Sequence, residues 1–158
     1  MNSTEEIRVA IPQWIEKYGI TSMADAGAGD MHWISTLNLK IKYQGYDVFV
    51  RRPDILEWDI RLDALPFADV ILCRHVLNHL SPEDALKALR LLKGSCDYLM
   101  ANTGGPKKSV PCVGHFCDYD LDLPPFDLGA PLERVQDCRG DFAIWGVNPK
   151  PGTAALVD

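Results

Sequence analysis

Residues 4 to 19 place Ile7, Ala10, Ile11, Trp14, Ile15 and Tyr18 close to helical spacing behind Ser3 and Thr4, with Glu5 and Glu6 in the first turn. An amphipathic helix is predicted, capped by Ser3/Thr4, bent or interrupted at Pro12 and ended by Gly19. ITSMADAG then reads as a short strand running into a glycine turn, after which Asp30 caps a second short helix carrying Met31, Ile34 and Leu37. KIKYQGYDVFV and DILEWDI, parted by Pro53, have the pattern of two strands. ADVILC and CDYLMANT are continuous apolar runs, as expected of parallel strands covered on both faces.

Between those two runs lies the strongest helical signal, SPEDALKALRLLKG. Ser81 is placed to cap it, Pro82 to occupy its first position and Asp84 to close a capping box, while Ala85, Leu86, Leu89 and Leu92 form the buried stripe and Gly94 the stop. Residues 104 to 125 read as loop, and APLERVQ and DFAIWGV as a closing antiparallel hairpin. Strands alternating with helices before a hairpin predict an α/β open sheet, mostly parallel and wound right-handedly.

The chain of 158 residues is the right length for one domain, placed at residues 1–150 with a flexible tail at 151–158. Sixteen basic against 22 acidic residues give a net charge of −6, the wrong sign for gripping nucleic acid over a broad face. Five cysteines, an odd number, and an N-terminus with no signal-like core are the pattern of a cytoplasmic protein. No stretch approaches the roughly 20 apolar residues a membrane helix needs.

In an open parallel sheet, ligands meet the first strand-to-helix turn, here Asp25-Ala26-Gly27-Ala28-Gly29-Asp30. Gly27 and Gly29 allow a tight turn and close approach of a ligand to the backbone. A dinucleotide fingerprint would place a third glycine where His32 stands, which disfavours nicotinamide cofactors. DAGAGD followed by Trp33 resembles the first motif of class I S-adenosylmethionine-dependent methyltransferases, in its variant with a tryptophan shortly after D/E-x-x-x-G-D. LPFADVILCRHVLNHLSPEDALKAL is similar to the fourth-strand segment of small bacterial and phage members, and PPFDLGAPLERV and AIWG resemble the end of their domain.

The resemblance implies a Rossmann-like sheet and S-adenosyl-L-methionine as cofactor. It implies that Asp47, ending the second strand, accepts hydrogen bonds from the ribose hydroxyls, that Asp59 faces the adenine amino group and that Ile60 packs on the ring. Asp25, Gly27, Gly29 and Arg74 complete the cofactor set, Asp25 orienting the turn or meeting the methionine ammonium through water. An acidic crevice suits a sulfonium better than a pyrophosphate. Two departures stand out. Only about ten residues separate Asp47 from Asp59, so the usual helix between the second and third strands is missing or reduced to a turn, and the family's Arg-Asp pair is Arg74-His75.

Methyl transfer from a sulfonium depends mainly on positioning and desolvation, with a base useful but not obligatory. His75 and His79 are the candidates for that base. No metal is expected: HExxH would require Glu where Val76 stands, and Cys112, His115 and Cys117, with Cys138 as a distant fourth ligand, lack a CxxC pair and read as a loop with reduced thiols. Arg51, Arg52, Lys107 and Lys108 are solvated surface or, at a crevice mouth, binders of an anionic acceptor. The sequence leaves the acceptor unidentified, small molecule or macromolecule, because only the 104–124 loop and the N-terminal helix are available as lids. Such a site is open to a large acceptor or closed by a partner chain. The alternative to an enzyme is a degenerate module of the same fold that binds cofactor or partner without chemistry.

Overall fold

The computed structural model describes residues 4–104, 116–138 and 140–148. Helix α1 (Glu5–Lys17) leads into strand β1 (Ser22–Ala26), followed by β2 (Lys42–Asp47), β3 (Ile55–Glu57), β4 (Ala68–Cys73), helix α2 (Pro82–Lys93), β5 (Cys96–Thr103) and the hairpin β6 (Glu133–Asp137) and β7 (Gly140–Gly146). The seven strands form one sheet in the order β3-β2-β1-β4-β5-β7-β6. All pairings from β3 through β5 are parallel, whereas β7 runs antiparallel to both β5 and β6.

The continuous apolar runs follow from burial on both faces. Along β4 and β5, Val70, Leu72, Tyr98 and Met100 face α1, where Ile7, Ile11 and Trp14 meet them. Their neighbours Ile71, Cys73, Leu99 and Ala101 face α2 and pack with Ala85, Ala88, Leu89 and Leu92. That alternation is the two-residue period of a strand expressed twice, once to each face. Ser81 caps α2 as expected, its Oγ accepting from the Asp84 amide at 3.2 Å. Leu86 is only partly buried, and Ala88 takes the fourth place in the stripe.

Several local expectations are corrected. Helix α1 runs unbroken through Pro12, because the burial of Ile7, Ala10, Ile11 and Trp14 on the sheet outweighs the one backbone hydrogen bond a proline removes. Thr4 stands at its N-cap without capping it: Thr4 Oγ1 accepts from Arg8 Nε at 2.9 Å. The second helix shrinks to a single 3-10 turn, Ile34–Leu37, and Asp30 Oδ1 instead accepts from the His32 amide two residues on. The third strand stops at Glu57, since Asp59 O accepts from the amides of Leu62 and Asp63 and Trp58 Nε1 donates to Asp63 O, folding the rest of that segment into a turn. Between Asp47 and Ile55 there is no helix, in agreement with the spacing. No described helix is long and apolar enough to cross a membrane. The predicted tail, Lys107, Lys108, Cys112 and His115 lie outside the described residues. Cys117 is disulfide-bonded, against the expectation of reduced thiols there.

Candidate cofactor crevice

A crevice of about 470 Å³ opens beyond the carboxyl ends of β1 to β4. Its wall takes Gly27 from the turn after β1, Asp47, Val48 and Arg51 from the end of β2 and the segment after it, Trp58 to Arg61 after β3, and Arg74, His75, Val76, His79 and Leu80 after β4. Of the nine predicted site residues, Gly27, Asp47, Asp59, Ile60, Arg74, His75 and His79 meet here; Asp25 and Gly29 are not among the residues that line it.

The turn after β1 is built by backbone geometry. Gly27 (φ +91°) and Gly29 (φ +60°) both occupy the left-handed region that glycine tolerates. The amides of Gly27 and Ala28 donate to Tyr46 O, and the Gly29 amide donates to Asp47 Oδ2 at 2.9 Å. Asp47 Oδ1 accepts from the Phe49 amide at 3.0 Å. A carboxylate has about four lone-pair sites, so Asp47 is held at both oxygens and still has capacity for a diol. Beside it, Val48, Trp58 and Ile60 make an apolar wall, with Trp58 set edge-on to Tyr46. A fixed carboxylate, a glycine turn and an apolar wall around a cavity of this size are the donor set and volume a nucleoside cofactor requires.

Asp25 is buried at the end of β1, and its Oδ2 accepts from Tyr43 Oη at 2.5 Å. Burial pushes its carboxyl up to about 7, against the lowering effect of the tyrosine hydrogen bond. A carboxyl that takes up its proton more readily when folded makes the protein lose stability as pH rises from about 4, where an unfolded aspartate titrates, to about 7. Asp25→Asn, which keeps an acceptor for Tyr43, is therefore expected to flatten that decline and to raise stability at pH 8 by up to about 4 kcal/mol, read by urea unfolding at several pH values. An unchanged decline would remove Asp25 as its cause.

Two predicted cofactor contacts are engaged within the protein. Asp59 accepts from Arg61 through both oxygens, at 3.0 and 2.7 Å, and the pair holds its carboxyl down to about 2. Arg74 forms a two-point ion pair with Asp137, at 3.1 and 3.0 Å, and its guanidinium lies 5.2 Å from the centre of the Trp33 ring. His75 has φ +55°, and its amide donates to Asn102 Oδ1 at 2.8 Å. Its Nε2 lies 3.1 Å from Asp137 Oδ2 and 3.5 Å from Cys138 Sγ. His79 ends the 3-10 turn Leu77–His79 and packs edge-on against Phe116, with ring centres 5.5 Å apart.

The sequence reading missed Val48, Trp58, Arg61, Val76 and Leu80 as wall residues, and Asn102 and Asp137 as the groups that fix Arg74 and His75. Trp58 stood within LEWDI as a strand residue; Asp137 gave no local signal, because its partners Arg74 and Asn102 are 63 and 35 residues away.

The strand order, with its antiparallel closing hairpin, decides the comparison with solved structures. Magnesium protoporphyrin IX methyltransferase from Synechocystis PCC 6803, with bound SAH, matches 90% of this chain and 82% of its own at a TM-score of 0.65 and 15% identity. The chain has the class I methyltransferase fold. An O-methyltransferase family protein from Burkholderia thailandensis matches 90% of this chain and 55% of its own, at a TM-score of 0.65 and 12% identity. The mitomycin 7-O-methyltransferase MmcR matches 91% and 53%, at 0.64 and 13% identity. This methyltransferase fold thus spans about half the length of the latter two. No family model matches the sequence, and no curated relative matches it either.

Proposed function

We propose that the protein binds S-adenosylmethionine and transfers its methyl group to an acceptor held at the open side of the crevice. The observation that carries this reading is Asp47, anchored by the Gly29 and Phe49 amides at the crevice wall of a methyltransferase fold. Structures of that fold with bound SAH or SAM support the choice of cofactor. When bound, the cofactor supplies an electrophilic methyl group on a sulfonium. Asp47 holds the ribose diol, Ile60 and Val48 cover the base, and the Gly27–Gly29 turn lets the charged end pass close to the backbone. Of the two imidazoles on the wall, His75 is engaged by Asp137 through Nε2, so His79, exposed at the crevice rim, is the acceptor's proton acceptor.

Calorimetric titration with S-adenosylmethionine, with a nicotinamide dinucleotide as contrast, is expected to give one site for the first and none for the second. No heat with S-adenosylmethionine would overturn the reading. The pairing of Asp59 with Arg61 and of Arg74 with Asp137 favours a second reading, a module that binds cofactor without turnover. Release of S-adenosylhomocysteine with a defined acceptor excludes that second reading; tight binding with no turnover across thiol, hydroxyl, amine and carboxylate acceptors supports it.

A further inference from the structure

His75, Asp137 and Cys138 bring one nitrogen, one carboxylate oxygen and one sulfur to within 4.8 Å of one another, beside the crevice wall to which His75 belongs. His75 comes from the turn after β4, Asp137 from the end of β6 and Cys138 from the turn that follows it. The same ring nitrogen, Nε2, faces both Asp137 Oδ2 at 3.1 Å and Cys138 Sγ at 3.5 Å. A single proton on that nitrogen can serve the carboxylate, or its lone pair can accept from the thiol, but it cannot do both. Asp137 is already paired with Arg74, Asn102 and the Cys138 amide, whereas a cation would let His75 Nε2 and Cys138 Sγ act together as ligands.

The two separations from the imidazole nitrogen are compatible with one ion in particular. Tetrahedral zinc, with bonds of about 2.0–2.1 Å to nitrogen, about 2.3 Å to sulfur and about 2.0 Å to oxygen, sets nitrogen about 3.6 Å from sulfur and about 3.3 Å from oxygen. The observed 3.5 and 3.1 Å lie close to these separations before any metal draws the ligands in. The set is also held in place from outside. Asn102 donates from Nδ2 to Asp137 Oδ2 at 2.7 Å and accepts from the His75 amide, while Arg74 grips the Asp137 carboxylate at two points. Such outer partners orient ligands in metal sites. Asp137 is fully buried and Cys138 is exposed, which gives the site a fixed floor and an entry path.

We propose that His75 Nε2, Cys138 Sγ and Asp137 bind one zinc ion at the edge of the crevice. Binding releases the Cys138 thiol proton to solvent and leaves His75 as its Nδ1–H tautomer. Asp137 already accepts from Arg74, Asn102 and the Cys138 amide, so His75 and Cys138 carry most of the affinity. Three protein ligands leave a fourth position for water or an acceptor group.

The test is titration of the chelator-treated, full-length protein with Co²⁺, read by the visible bands of a tetrahedral ion and the near-ultraviolet thiolate-to-cobalt band, followed by displacement with Zn²⁺. One equivalent is expected. Cys138→Ser should abolish the thiolate band, and Cys138→Ser and His75→Ala should each weaken binding by more than about 100-fold, beyond the roughly 10–100-fold cost of losing an outer partner. Circular dichroism and S-adenosylmethionine titration of the same variants show whether fold and cofactor site persist. No tetrahedral spectrum, or a spectrum that survives Cys138→Ser and disappears with Cys112→Ser, would overturn the proposal without bearing on cofactor binding.

Discussion

Gly27→Ala is expected to unfold about 10 °C below the parent protein, a loss of roughly 3 kcal/mol. A Cβ at this position would stand 2.2 Å from Val76 Cγ2, far inside van der Waals contact, on a backbone at φ +91° that L side chains rarely adopt. Both penalties act at the junction of the β1 turn and the segment after β4, where the sheet's two halves part. Gly29→Ala supplies the contrast, for a Cβ there meets nothing within 4 Å and only the cost of φ +60° remains. It should lose about 1–2 kcal/mol. In Gly27→Ala/Val76→Ala the clash is gone and the backbone cost stays, so part of the stability should return. Thermal and urea unfolding of the four proteins measure this directly; equal losses for Gly27→Ala and Gly29→Ala would show that Val76 does not press on the turn.

Asp47→Ala should weaken S-adenosylmethionine binding by about 100-fold, the value of two charge-assisted hydrogen bonds of roughly 1.5 kcal/mol each. The same carboxylate accepts from the Gly29 and Phe49 amides, so the substitution also loosens the turn on both sides of the crevice. Asp47→Asn keeps one acceptor oxygen and should retain more affinity than the alanine variant. Calorimetry of the three proteins orders them as parent, Asn, Ala. Equal affinities would place the cofactor's diol elsewhere.

Much of this arrangement was legible in the chain because its causes are local. ADVILC and CDYLMANT announced strands covered twice, Ser81-Pro82-Glu83-Asp84 announced the start of α2, and two glycines after an acid announced the turn. The ten-residue spacing from Asp47 also located the missing helix. What escaped notice has causes that lie across the fold. The straight course of α1 through Pro12 depends on the sheet beneath it, and the short reach of β3 on Trp58 turning back to Asp63. Arg74 was assigned to the cofactor from its place after β4; its actual partner, Asp137, arrives on the far hairpin and no periodicity links them. Asp59 shows the opposite case: its partner Arg61 is two residues away, in plain sight, but only the turn brings the guanidinium back onto it.

The strand order leaves β3 as one margin of the sheet, and its three residues are preceded by Pro53 and the Arg52–Asp54 ion pair. A margin that short offers too few free backbone groups to recruit a strand from another molecule. At the opposite margin, β6 is longer, but Glu6 of α1 reaches over to accept from the Gln136 amide at 2.9 Å and Tyr18 donates to Glu133 at 2.6 Å. One side is protected by brevity and the other by a helix leaning across it. The sheet therefore resists end-to-end stacking of copies through its margins, although neither edge strand is closed into a barrel.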